Sequence, residues 1–149
     1  MLDVNVTYPN LQKVIRILRD RKIFSRLAFR AQYIIEKRIE SGRTLRGGAK
    51  QYSDAYKKKR QRAGLPVDHV YMEYSGMTLA AMTHKANPGS AQLYFALKRA
   101  ERIAYYHTFA GAGKHKILRP FWGLTRKEKT AINIAYGQWI AQRLAFMNE

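Results

Sequence analysis

The feature that most constrains this chain is a helix start. Thr125 stands three residues before Glu128, the spacing of a capping box, in which the hydroxyl accepts a first-turn amide and the carboxylate returns the bond. Beyond it Ile132, Tyr136, Trp139, Ile140, Leu144 and Met147 recur at helical spacing and give one apolar face. Just upstream lies the compact turn Arg119-Pro120-Phe121-Trp122-Gly123-Leu124. Before that come a glycine and lysine loop and an aromatic knot: Tyr105, Tyr106, His107 and Phe109, ending at Gly111. A turn rich in large apolar residues thus delivers the chain into a final helix, and that helix needs a partner upstream.

The partner is expected near the N-terminus. Leu11, Val14, Ile15 and Leu18 share a helical face; Arg19-Asp20-Arg21-Lys22 marks a break or kink. A second helical run carries Phe24, Leu27, Ala28, Ala31, Ile34, Ile35 and Ile39 to a stop at Gly42. Before them, Val4, Val6 and Tyr8 alternate like a short strand ended by Pro9. Residues 42–51, with three glycines and no periodicity, predict a mobile basic loop. Ser53 caps a short helix from Asp54 to about Ala63, closed by Gly64 and Pro66. Val70–Tyr74 reads as extended. Leu79–Lys85 and Ala91–Leu97 flank Asn87-Pro88-Gly89-Ser90 and predict a β-hairpin, although Met77–Met82 also fits a helical turn. Lys98–Phe109 reads as a short helix running into the aromatic knot. The expected fold is α+β: one domain over 1–149, a small antiparallel sheet packed against a long N-terminal helical segment and a C-terminal helix.

Chemistry-bearing motifs fall away on inspection. Gly111-Ala112-Gly113-Lys114-His115 lacks the first glycine of a phosphate loop and the hydroxyl after its lysine, since Thr108 and His115 hold those positions. His69, His84, His107 and His115 show no ligand spacing, and there is no cysteine to complete a zinc set. Asp68, His69 and Ser75 are triad residue types without a nucleophile elbow. The ten acidic residues form no catalytic pair. No catalytic residue, metal or cofactor is expected. The N-terminus has no signal-peptide pattern, and no apolar run is long enough to span a membrane.

Charge is the dominant global property: 28 Lys and Arg against ten acids, net +18. Such a field favours polyanions: nucleic acid, an acidic protein surface or a membrane surface. Lys57, Lys58, Lys59, Arg60 and Arg62 concentrate it on one helix and are the expected polyanion or acidic-partner contacts, against the plainer reading of a solvated face.

Two segments carry a family likeness. Tyr106–Gly111 and Arg119–Thr125, with Tyr52-Ser53, Tyr56, the basic run, Gly64 and Ser75-Gly76 upstream, resemble the phage virion morphogenesis (tail-completion) proteins, small head–tail joining proteins of tailed bacteriophages. The resemblance implies a non-enzymatic virion component. It would assemble as a homo-oligomeric ring at the neck, a hexamer in preference to a dodecamer, between a portal or adaptor side and a tail side, with DNA in the channel. It would reside in the virion, and in the host cytoplasm during assembly. Rings require heterologous interfaces that close. The residues expected at them are Arg119, Phe121, Trp122, Tyr106 and His107, with Arg43 and Arg46 from the loop. Phe121 and Trp122 also suit a core, and Arg119 also suits a turn clasp that bonds backbone carbonyls. The alternative function is basic nucleic-acid binding.

Overall fold

The computed structural model describes residues 11–68, 70 and 76–146. The expected strand at Val4–Tyr8 and the extended segment Val70–Tyr74, apart from Val70 itself, lie outside them. The fold is α+β, as expected. Helices α1 (Leu11–Leu18) and α2 (Arg21–Glu40) are followed by a small hairpin, β1 (Arg43–Thr44) and β2 (Gly47–Gly48). Next come α3 (Asp54–Arg62), the single turn α4 (Met77–Ala80), and the hairpin β3 (Met82–Asn87) and β4 (Ser90–Phe95). Helix α5 (Lys98–Tyr105) runs into a π-helical turn, Tyr106–Ala110, and α6 (Arg126–Ala145) closes the order.

The break between α1 and α2 is a capped junction. Asp20 is the N-cap of α2, and its carboxylate accepts from the Lys22 amide at 2.8 Å. Helix α2 then buries Ile23, Ala28, Ala31, Ile35 and Ile39 along one stripe. Hairpin β3–β4 lies antiparallel with Asn87 opposite Ser90, so Pro88 and Gly89 form a two-residue loop, Gly89 at φ 85°. Every second residue of β3 turns inward: Met82 and Ala86 are buried and His84 is half-buried. Gln32 of α2 bonds the Met82 carbonyl at 3.3 Å, and its Oε1 lies 3.3 Å from His84 Nδ1. Ser25 pairs with the other ring nitrogen at 3.4 Å, so His84 fastens the hairpin to α2. The first arm starts at Met82 rather than Leu79 because Gly76 initiates the turn α4.

The core lies between α2, the β3–β4 hairpin and the segments that converge on Phe121. Ile35, Ile39, Tyr52, Val70, Met82 and Phe121 are buried together. Helix α6 packs on α2 through the ring pair Phe24–Tyr136, 5.7 Å between centroids, and Tyr136 donates its hydroxyl to the Leu18 carbonyl at 2.9 Å. The apolar face read from the sequence is only partly covered. Among its described residues α6 buries none fully, and neither does α1.

Residues 42–51, where the sequence shows no periodicity, contain the small hairpin β1–β2. Thr44 pairs with Gly47, the Thr44 hydroxyl donates to the Gly47 carbonyl at 3.0 Å, and Thr44 and Ala49 are buried. The Leu45 amide donates to the Pro120 carbonyl at 2.7 Å. Two of the segment's glycines supply a tight turn: Gly42 and Gly47 take φ 67° and 105°.

Candidate interaction surface

The turn before α6 is built around a residue that the sequence reading passed over. Arg38 of α2 reaches its guanidinium beneath the turn, where Nη2 donates to the Phe121 carbonyl at 2.7 Å and to the Gly123 carbonyl at 2.6 Å. Nη1 meets the Glu128 carboxylate at 2.5 Å. Glu128 also receives the Thr125 amide at 2.6 Å and donates its own amide to the Thr125 hydroxyl at 3.3 Å, completing the capping box. Burial alone would raise the Glu128 pKa. The bonds from Thr125 and the charge of Arg38 outweigh it and hold the carboxyl below its ordinary value. One ion pair therefore ties α2, the turn and the start of α6 together. A signal was present: Arg38 falls at the i+3 position from Ile35 and i+7 from Ala31, on the apolar stripe, where an unpaired charge would be costly.

Arg119 is a second clasp. Its Nε donates to the Lys50 carbonyl at 2.9 Å and Nη2 to the Gln51 carbonyl at 3.3 Å, with the guanidinium 5.6 Å from the Tyr52 ring centroid. Its backbone amide bonds the His107 carbonyl at 2.8 Å. Arg119 is thus buried and turned to its own chain: of its two expected roles it takes the turn clasp on backbone carbonyls, not a place at a surface interface. Phe121 likewise takes the core role that it also suited rather than the interface: it is 1% exposed. Arg60, expected on the polyanion face, is 2% exposed, donates to the Pro66 carbonyl at 3.0 Å and sits 5.0 Å from the Tyr52 ring centroid. A helix cationic all round must turn one cation inward when its other anchors are only two tyrosines. Lys58, Lys59 and Arg62 stay exposed and Lys57 is half-buried.

The remaining expected interface residues divide in two. Arg43 and Arg46 are exposed on the β1–β2 hairpin. Trp122 is half-buried against Phe95, 4.5 Å between ring centroids, and forms the inner wall of a groove of about 420 Å³ with Tyr94, Tyr105 and Phe109. No family model, curated protein or solved structure matches this chain. Its geometry is therefore the ground for any functional reading.

That geometry includes an aromatic outcrop. Tyr105 lies 5.9 Å from Tyr106 and 5.8 Å from Phe109, yet Tyr105 is 57% exposed, Tyr106 48% and Phe109 67%. The aromatic knot is an open patch, because the π turn carries these rings outward while only Thr108 of the turn is buried. His107 is half-buried, its ring 6.1 Å from Phe121. Burial, aided by the Arg119 charge, pushes its imidazole below the ordinary value, and its Nδ1 has no hydrogen-bond partner.

The glycine and lysine loop is not a phosphate cradle. Ala112 and Ile117 exchange backbone bonds of 2.9 and 3.0 Å, so the loop is a tight reversal rather than a strand-to-helix turn. Gly111 is required there, since a Cβ would stand 2.3 Å from the Lys116 carbonyl oxygen. Among the described residues no group of three or more His, Cys, Asp or Glu could hold a metal, and no helix is long and apolar enough to cross a membrane.

Proposed function

We propose that this protein is a structural assembly component, with the head–tail connector of a tailed phage as the specific reading. The observation that carries it is the exposed aromatic patch of Tyr105, Tyr106 and Phe109, extended by Tyr94, on an otherwise strongly cationic chain. Contiguous exposed aromatic surface marks interaction sites, and tyrosines are favoured anchors within them. Two of its rings, Tyr106 and Phe109, belong to Tyr106–Gly111, one of the segments that carry the family resemblance. Self-association through it would place subunits in a homo-oligomeric ring, a hexamer first among the options. The positive field of such a ring calls for acidic neighbours or passing DNA.

Sedimentation velocity of the wild-type chain and of Tyr105→Ser/Phe109→Ser tests the reading. Both side chains are exposed, so the variant should keep its melting temperature while the oligomer falls apart. A wild-type monomer, or an oligomer indifferent to the change, would overturn it. Non-specific nucleic-acid binding is the second reading, favoured by the exposed lysines of α3.

A further inference from the structure

A second concavity lies on another side of the π turn. It has a volume of about 660 Å³, within the range of ligand pockets, and is enclosed between the start of α3, helix α5 and the reversal at 112–117. Its floor is apolar, with Ile103 and Ile117 beside Tyr52 and Tyr56. Arg99, Lys114 and His115 are exposed at its margin, and Arg119 and His107 line it more deeply. No carboxylate is among its described lining residues. The side chains of Arg99 and Lys114 make no hydrogen bond or ion pair with any described residue.

We infer that this cavity is a docking site for an acidic segment of a partner protein, one that inserts a large apolar side chain and sets flanking carboxylates against Arg99 and Lys114. Charge complementarity selects an anion: several cations converge on one concavity, with no described acid to neutralise them. The apolar floor selects an occupant with an apolar body rather than a bare phosphate. A nucleotide fits less well, because single-stranded nucleic acid is held by aromatic faces free to stack with bases. Here Tyr52 is packed edge-on against Tyr56, 5.0 Å between centroids at 66°, and its ring is attended by the guanidiniums of Arg60 and Arg119. The cavity would take such a segment whether or not the chain is a neck component.

The test is fluorescence anisotropy of the full chain with a labelled Gly-Asp-Phe-Glu-Gly peptide. Competitors are the same peptide with Ala for Phe, the same peptide with Lys for both acids, and a short single-stranded oligonucleotide. Arg99→Glu/Lys114→Glu, which reverses both charge contacts, should weaken the acidic aromatic peptide at least about ten-fold. Lys57→Glu/Lys58→Glu/Lys59→Glu, which changes net charge more but leaves the cavity intact, should weaken it much less. Melting temperatures measured in parallel establish that both variants are folded. No binding up to about 1 mM, equal weakening by the two variants, or equal binding of the Ala-substituted peptide overturns the site. Displacement by the oligonucleotide at lower concentration than by unlabelled peptide would assign the cavity to nucleic acid instead and also overturn it.

Discussion

Replacing Arg38 by Met probes how the last helix is held. The side chain is 6% exposed, and it makes two charge-assisted bonds to backbone carbonyls and one to a carboxylate. Removing one partner of a buried pair costs about 3–5 kcal/mol, because the other is left without compensation. Two features pull the value to the lower end. Glu128 retains its Thr125 bonds, and Arg38 Nε, which is buried without a partner, disappears. A loss of about 3 kcal/mol at roughly 2–4 °C per kcal/mol for a chain of this size lowers the melting temperature by about 6–12 °C. Thermal and urea unfolding of Arg38→Met, Glu128→Gln and the double variant supply the assay. Because the residues share one network, the double variant should cost about 0.5–3 kcal/mol less than the sum of the singles. A loss below about 1 kcal/mol for Arg38→Met, or strictly additive costs, refutes the clasp, since an isolated surface pair is worth no more than that.

Two other outcomes follow from the same geometry. Trp122→Ala removes a half-buried ring stacked near Phe95 and should cost about 2–3 kcal/mol, less than the roughly 3–5 of a fully buried Trp; calorimetry and sedimentation should show stability and assembly falling together, whereas lost assembly with unchanged melting would make Trp122 an exposed anchor. The lowered His107 pKa means that the unfolded chain binds its proton more readily than the folded one. Its contribution to stability is then fully present above about pH 6.5 and lost as the pH falls from there toward the folded value, before the Glu128 contribution is lost further into acid. Urea midpoints from pH 7 to 5 should fall for the wild type and flatten for His107→Gln; parallel profiles would refute this.

Local signals in the sequence carried well. The Thr125–Glu128 box, the Ser53 cap and the Asn87–Ser90 turn each depend on a few adjacent residues, and each forms. The break at Arg19–Lys22 was legible for the same reason, although its cause is the Asp20 cap. What failed to show was set by distant partners. Arg38 looks like surface charge in a chain with 28 basic residues, yet it is drawn inward by the Phe121 and Gly123 carbonyls, far along the chain; the clasp role of Arg119 could be read locally, but not its partners, the Lys50 and Gln51 carbonyls. The β1–β2 hairpin was hidden because its anchor is the Pro120 carbonyl, far along the chain. Large aromatics at Tyr105 and Phe109 suggested a knot; only the outward turn of the π segment makes them a surface.

Oligomeric state with and without DNA tests the proposed role most directly. Native mass spectrometry of the full chain at low ionic strength, before and after addition of a short duplex, reads both at once. The connector reading predicts a closed ring of one defined size, a hexamer in the favoured case, without DNA. A monomer at every concentration that associates only when DNA is added would contradict it and leave nucleic-acid binding as the better account.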